Sequence, residues 1–115
     1  MHEYSVTQNI IDTAVRRAAA DNRSVTVKKI SLVIGEASGV SGESIRLYFD
    51  LIAKGTLCED AVLEIENVRA MLKCRKCGSL FLRKPFSFAC TCGGEGEPTD
   101  TGREFFIKSI EVEGQ

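Results

Sequence analysis

Cys74-Arg75-Lys76-Cys77-Gly78 and Cys90-Thr91-Cys92-Gly93-Gly94, with twelve residues between Cys77 and Cys90, decide how this chain must be organised. Two thiolates two residues apart can hold one metal ion from a tight turn. The glycine that follows lets the backbone reverse without a Cβ clash. The second pair has only Thr91 between its cysteines, and a turn can still bring such alternate side chains to one side. Four sulfur ligands fill a tetrahedron and leave no position open for catalysis, so Cys74, Cys77, Cys90 and Cys92 read as a structural zinc site.

The composition around these pairs is unlike that of the flanks. Between Met71 and Cys92 stand Lys73, Arg75, Lys76, Arg83 and Lys84, with no acidic residue. Four thiolates on a divalent ion leave net negative charge, which the cations partly offset. The residues from Leu80 to Phe88 suit a short hairpin, and Phe81, Phe86 and Phe88 are expected to pack the interior of this small unit. Gly93-Gly94-Glu95-Gly96-Glu97-Pro98 reads as a loop. The fifth cysteine, Cys58, stands apart and reads as an ordinary semi-buried thiol. It remains a stand-in ligand should the short Cys90–Cys92 spacing fail.

Outside the cysteine stretch the periodicities are those of a mixed fold. Val6, Ile10, Ile11, Ala14, Val15, Ala18 and Ala19 recur at helical spacing, and Asp21-Asn22 close the segment. Its start is set either by Ser5 and Gln8 at capping-box spacing or by Glu3 in a first turn. Ser24 to Ile34 is rich in β-branched residues, and its alternation changes phase between Val27 and Ile30, which predicts a bulge near Lys28-Lys29. Gly35 and Gly39 bracket a loop. Ser41 or Ser44 can cap a second helix with Ile45, Tyr48, Phe49 and Ile52 on one face, ended by Gly55. Ala61 to Val68 and Glu104 to Val112 alternate as strands.

The order is helix, strand, helix, strand, cysteine unit, strand. This predicts an α+β fold: two helices on one face of a small, about three-stranded β-sheet, with an inserted zinc-ribbon-like module. The expected division is 1–69 with 104–115 for the α+β domain and 70–103 for the zinc-binding module. At 115 residues and 43% hydrophobic, the chain suffices for one modest core with a satellite.

Charge and composition exclude several functions. Fifteen Lys and Arg against sixteen Asp and Glu give a net charge of −1, without the basic excess that nucleic acid requires. No secretory signal and no long apolar run is present, so a cytoplasmic protein without a membrane role is expected, and in a reducing compartment clustered cysteines point to metal. An enzyme is not expected. There is one histidine and no nucleophile–base pair, and Gly35-Glu36-Ala37-Ser38-Gly39 is too short and wrongly spaced for a phosphate loop.

The extreme N-terminus carries the remaining signal. A terminal histidine is ordinarily solvated. Yet the Met1 amine, the first amide nitrogens and the His2 imidazole can chelate one ion in fused rings. Such a nitrogen plane suits Ni²⁺ or Cu²⁺. The bulk of His2 disfavours removal of Met1.

Met1-His2-Glu3, Ile34-Gly35-Glu36-Ala37-Ser38-Gly39-Val40, the Phe49 helix, Ala61-Val62-Leu63-Glu64-Ile65, the paired cysteines and Gly102-Arg103-Glu104 together resemble the HypA/HybF family of hydrogenase nickel-incorporation proteins, over essentially the whole chain. The resemblance implies a nickel site at Met1, His2 and Glu3 and a zinc site at Cys74, Cys77, Cys90 and Cys92. The family pattern has two residues, the first a proline, between the last two cysteines, where this chain has Thr91 alone. The resemblance further implies a metallochaperone that carries Ni²⁺ as cargo; exchange of the appended module between chains would give a homodimer, so a monomer or homodimer is expected. Its implied partners are a HypB-type accessory GTPase and the large subunit of a [NiFe]-hydrogenase, with urease maturation as a second client. The rival reading is a zinc-ribbon module that binds protein or RNA and has no nickel role.

Overall fold

The computed structural model describes residues 3–20, 25–84 and 86–114. Eight elements follow in order: α1 (Glu3–Ala19), β1 (Val25–Gly35), α2 (Gly42–Ile52), β2 (Val62–Val68), β3 (Met71–Cys74), β4 (Leu80–Leu82), β5 (Gly96–Pro98) and β6 (Phe105–Gly114). They form two three-stranded sheets, ordered β2-β1-β6 and β4-β3-β5.

β1 is the spine of the larger sheet. It pairs parallel with β2, with Ile30 opposite Leu63 and Leu32 opposite Ile65, and antiparallel with β6. Parallel strands need a crossover, and α2 supplies it. Ile30, Leu32 and Ile34 point to the helices, where they meet Ile10, Ile11 and Ala14 of α1 and Ile45 and Phe49 of α2 in one apolar cluster. Cys58 is fully buried in the same cluster, and burial pushes its thiol pKa up, so it is a core residue remote from the other cysteines.

The phase change in β1 is a true bulge. Val27 faces Val112 and Lys29 faces Glu111, which leaves Lys28 without a partner. One extra residue turns both Val27 and Ile30 inward, where each is buried. A second shift, unforeseen from the sequence, lies on β6. Ser31 faces Ser109 while Leu32 faces Ile107, so Lys108 is the unpaired residue there and Phe105, Ile107 and Ile110 all reach the core.

Among the described residues α1 runs from Glu3, an acidic residue in its first turn, so Ser5 lies within the helix and is not its cap. The Asp21-Asn22 close lies outside the described residues. Ser41 caps α2, its Oγ accepting from the Ser44 N–H at 3.3 Å. α2 ends at Ile52, and Gly55, at φ 78°, follows in the turn beyond it.

The smaller sheet corrects two expectations. Gly96–Pro98 is a strand, not loop, because β3 pairs on both sides, with β4 and with β5. Pro98 is tolerated there because β5 is an edge strand. Phe81 is partly covered, but Phe86 is 108% exposed and Phe88 51%, so neither packs an interior. Strands of three and four residues enclose too little space for three aromatic rings.

A backbone knot joins the sheets where β1 ends. The N–H groups of Gly35, Glu36 and Ala37 donate to the carbonyls of Glu104, Val68 and Gly102. A Cβ on Gly35 would collide with the Gly102 carbonyl, so two chain segments cross here at backbone contact. The Glu36 carboxylate accepts the Ala70 N–H at 3.0 Å and lies 3.7 Å from the Arg83 guanidinium. The result is elongated: the radius of gyration is 18.1 Å, against about 13 Å for a compact chain of this length.

Leu32→Ala removes a side chain at the centre of the helix-covered face. Urea denaturation should show a loss of about 2–5 kcal/mol, while the thiol-bound metal content of the folded protein stays unchanged, because Leu32 touches only the larger sheet's core.

Candidate metal centre

Two matching turns bring the four cysteines together. In the first, the Cys74 carbonyl accepts from the Gly78 N–H at 3.0 Å, and the Cys74 N–H donates to the Ser79 carbonyl at 2.9 Å. In the second, the Cys90 carbonyl accepts from the Gly93 N–H at 3.0 Å, and the Cys90 N–H donates to the Gly94 carbonyl at 2.9 Å. Gly78 and Gly93 both hold left-handed φ, at 77° and 87°. The second turn is thus the first shortened by one residue, with its two closing hydrogen bonds retained. That is how a single residue between Cys90 and Cys92 suffices.

The sulfurs lie within 4.8 Å of one another. Cys74 Sγ is 3.5 Å from Cys92 Sγ, and Cys77 Sγ is 3.8 Å from Cys90 Sγ. Zinc–sulfur bonds of about 2.3 Å in a tetrahedron require sulfurs about 3.8 Å apart. The spacing therefore fits four ligands around one ion and is far too long for a disulfide. Cys74 and Cys90 are buried, whereas Cys77 and Cys92 face solvent.

Donors converge on the sulfurs. The Lys76 and Cys77 N–H groups point at Cys74 Sγ and the Gly94 N–H at Cys92 Sγ, each at 3.4 Å. The Ser79 hydroxyl lies 2.9 Å from Cys77 Sγ and 3.7 Å from Cys90 Sγ. Such donors favour thiolate. The hydroxyl of Ser79 lowers the Cys77 pKa, while the Cys92 N–H, followed by the Ser79 hydroxyl, lowers that of Cys90 to about 6. At Cys92 the Gly94 N–H pulls the same way, yet the neighbouring thiols, Cys74 foremost, outweigh it and push the pKa to about 12. Four anions this close cannot coexist in the absence of a cation, and a divalent metal supplies what the protein lacks.

Gly94 is a constraint that ligand spacing does not reveal. A Cβ there would stand 2.6 Å from Cys74 Sγ and 3.3 Å from Cys92 Sγ. Ser79 was likewise unflagged by motif reading, since its role depends on how the first turn closes. Of the basic cluster, Arg75 pairs with Glu97 at 3.3 Å, and Arg83 turns away toward Glu36.

The N-terminal candidates are only partly visible. Met1 and His2 lie outside the described residues. Glu3 opens α1, its carbonyl accepting from the Thr7 hydroxyl at 2.6 Å and its Oε2 from the Ser41 N–H at 3.3 Å. Tyr4 and Tyr48 meet edge to face at 5.5 Å. The first turn of α1 is thereby fastened to the cap and body of α2, about which the sequence pattern was silent.

An α+β body joined to a small antiparallel ribbon with four clustered thiols defines a metal-binding protein of the zinc-ribbon-bearing class. A family profile described as hydrogenase/urease nickel incorporation, metallochaperone, hypA matches residues 1–112. The chain belongs to the HypA family of metallochaperones, which are not enzymes. The hydrogenase maturation factor HypA of Caldanaerobacter subterraneus subsp. tengcongensis is 47% identical over 116 residues, spanning 98% of this chain and 100% of that protein. That of Nostoc punctiforme is 38% identical over 114 residues, spanning 98% and 96%. The solution structure of the Ni metallochaperone HypA from Helicobacter pylori superposes with a TM-score of 0.65 at 25% identity, over 100% of both chains.

Gly94→Ala should lower the metal-to-protein ratio, measured by atomic emission on purified protein, several-fold below wild type. Cys58→Ser should leave that ratio unchanged and lower only the thermal midpoint.

Proposed function

We propose that this chain binds Ni²⁺ through the Met1 amine, backbone amides and the His2 imidazole, with Glu3 beside them, and delivers it for [NiFe]-hydrogenase maturation. The four cysteines Cys74, Cys77, Cys90 and Cys92 hold a resident structural Zn²⁺. Residues 1–69 with 104–115 act as the nickel-binding domain and 70–103 as the zinc-binding module. The observation that carries this reading is the mismatch between the two candidate sites. Four mutually close thiols suit a closed tetrahedral ion, whereas the chain's single histidine belongs to a nitrogen-rich terminus suited to Ni²⁺.

Glu3 has a second use in this scheme. Its carboxylate accepts the Ser41 N–H, so its role is to anchor the terminus as much as to ligate. A site with few fixed ligands at a chain end releases its ion by ligand exchange, which a carrier needs and a structural centre does not. The partners are a HypB-type GTPase and the hydrogenase large subunit, with urease maturation as a second client. The protein works in the cytoplasm as a monomer or homodimer, and no described helix is long and apolar enough to cross a membrane.

Native mass spectrometry of untagged protein titrated with Ni²⁺ tests the two-site scheme. One zinc should persist throughout, and one nickel should bind the wild type and be lost in His2→Ala. Zinc loss in that variant, or nickel binding indifferent to it, refutes the scheme.

A further inference from the structure

A cleft of about 530 Å³ opens beside the junction of the two sheets, lined by Glu36, Arg69, Arg83, Lys84, Phe86 and Phe88. It borders the ribbon but uses none of the four cysteines, so metal binding does not account for it. Phe86 is wholly exposed and sits in the left-handed region at φ 61°. Its turn is closed by the Ser87 N–H donating to the Lys84 carbonyl at 3.2 Å. A bulky residue in that conformation is strained by on the order of 1 kcal/mol. Its ring buries nothing in return, and glycine or asparagine would serve the turn better. Phe88, half exposed, lines the same cleft. Phe86 is by far the most exposed aromatic residue among those described, and with Phe88 beside it in the cleft the two rings form an apolar patch of the kind that marks a contact surface.

The charge of the cleft narrows what that contact is. Arg69, Arg83 and Lys84 line it against one carboxylate, that of Glu36. Arg83 is shared with Glu36, and Arg69 reaches the Arg83 carbonyl at 3.2 Å. Among the described residues neither Arg69 nor Lys84 forms an ion pair. Their charges are therefore available to an incoming anion. Two such cations can meet the carboxylates of a short acidic segment but do not make the basic track along which a single nucleic-acid strand lays its backbone.

We propose that this cleft is a docking surface for an acidic peptide segment of a partner protein, in which carboxylates meet Arg69 and Lys84 while an adjoining apolar side chain covers Phe86 and Phe88. Aromatic and arginine side chains are those that most often dominate protein contacts, and rim charges steer the encounter.

The test is fluorescence anisotropy of a short fluorescein-labelled peptide of glutamates interrupted by leucines, titrated with the full metal-loaded chain. The wild type should bind saturably and more weakly as salt is raised. Phe86→Ser and Lys84→Glu should each weaken binding about tenfold or more, a loss within the range of single contact residues. Lys54→Glu, which removes an exposed lysine just beyond α2, should change nothing. Metal content reports that each variant's ribbon is intact. No binding by the wild type, equal binding by the variants, or preference for a labelled oligouridylate of matched length would overturn the proposal.

Discussion

A sheet made of strands of four, three and three residues cannot hold itself together by burial. Within the ribbon, Ala70 and Leu72 are the only described hydrophobic side chains that are buried besides two of the cysteines. A buried leucine contributes about 2–3 kcal/mol, while ordering each residue costs about 1–2 kcal/mol of backbone entropy. Thiol ligation of a structural zinc is worth on the order of 10 kcal/mol or more in comparable small units. The paired turns and the side-chain-free approach of Gly94 serve to bring four sulfurs within reach of one ion.

The larger sheet obeys the opposite rule. Its centre is a continuous apolar cluster to which α1, α2 and all three strands contribute, and its ion pairs are peripheral. Lys29 spans Glu64 at 3.1 Å and Glu111 at 3.6 Å across neighbouring strands, and the Glu64 carboxylate raises the Lys29 pKa. These contacts stay in water and contribute little. The two regimes meet at the crossing of Gly35 and Gly102, where backbone bonds to Val68, Gly102 and Glu104 fix the ribbon's base to the end of β1. The Glu36 side chain grips the ribbon as well, through the Ala70 N–H and the Arg83 guanidinium.

What could be read from the sequence follows this division. Period 3.6 in Val6–Ala19 and Ile45–Ile52 and period 2 in Ala61–Val68 report burial against a large core, and each element formed there. The phase slip at Lys28 was legible because two inward residues three apart cannot alternate. The matching slip at Lys108 was not, since the apolar run Phe105-Phe106-Ile107 hides it. In the ribbon, ligand identity was plain from spacing, but packing was not. Phe86 and Phe88 were expected inside because apolar residues usually find an interior, and here there is none large enough. Ser79, Gly94 and Glu36 act through contacts made only when distant segments converge, which no local pattern records.

The position of β6 has a consequence for how this protein is born. β1 waits for its antiparallel partner until the whole stretch from Arg69 to Glu104 has emerged and looped back. Closing a long floppy excursion is slow and entropically costly, and closing one already clamped by an ion is neither. Capture of the thiol-bound metal by the nascent ribbon therefore shortens the search of β6 for β1. A cell starved of that metal would leave the open edge of β1 exposed on newly made chains, where pairing with strangers and proteolysis begin. Supply of the thiol-bound metal would thus set how much folded protein a cell holds.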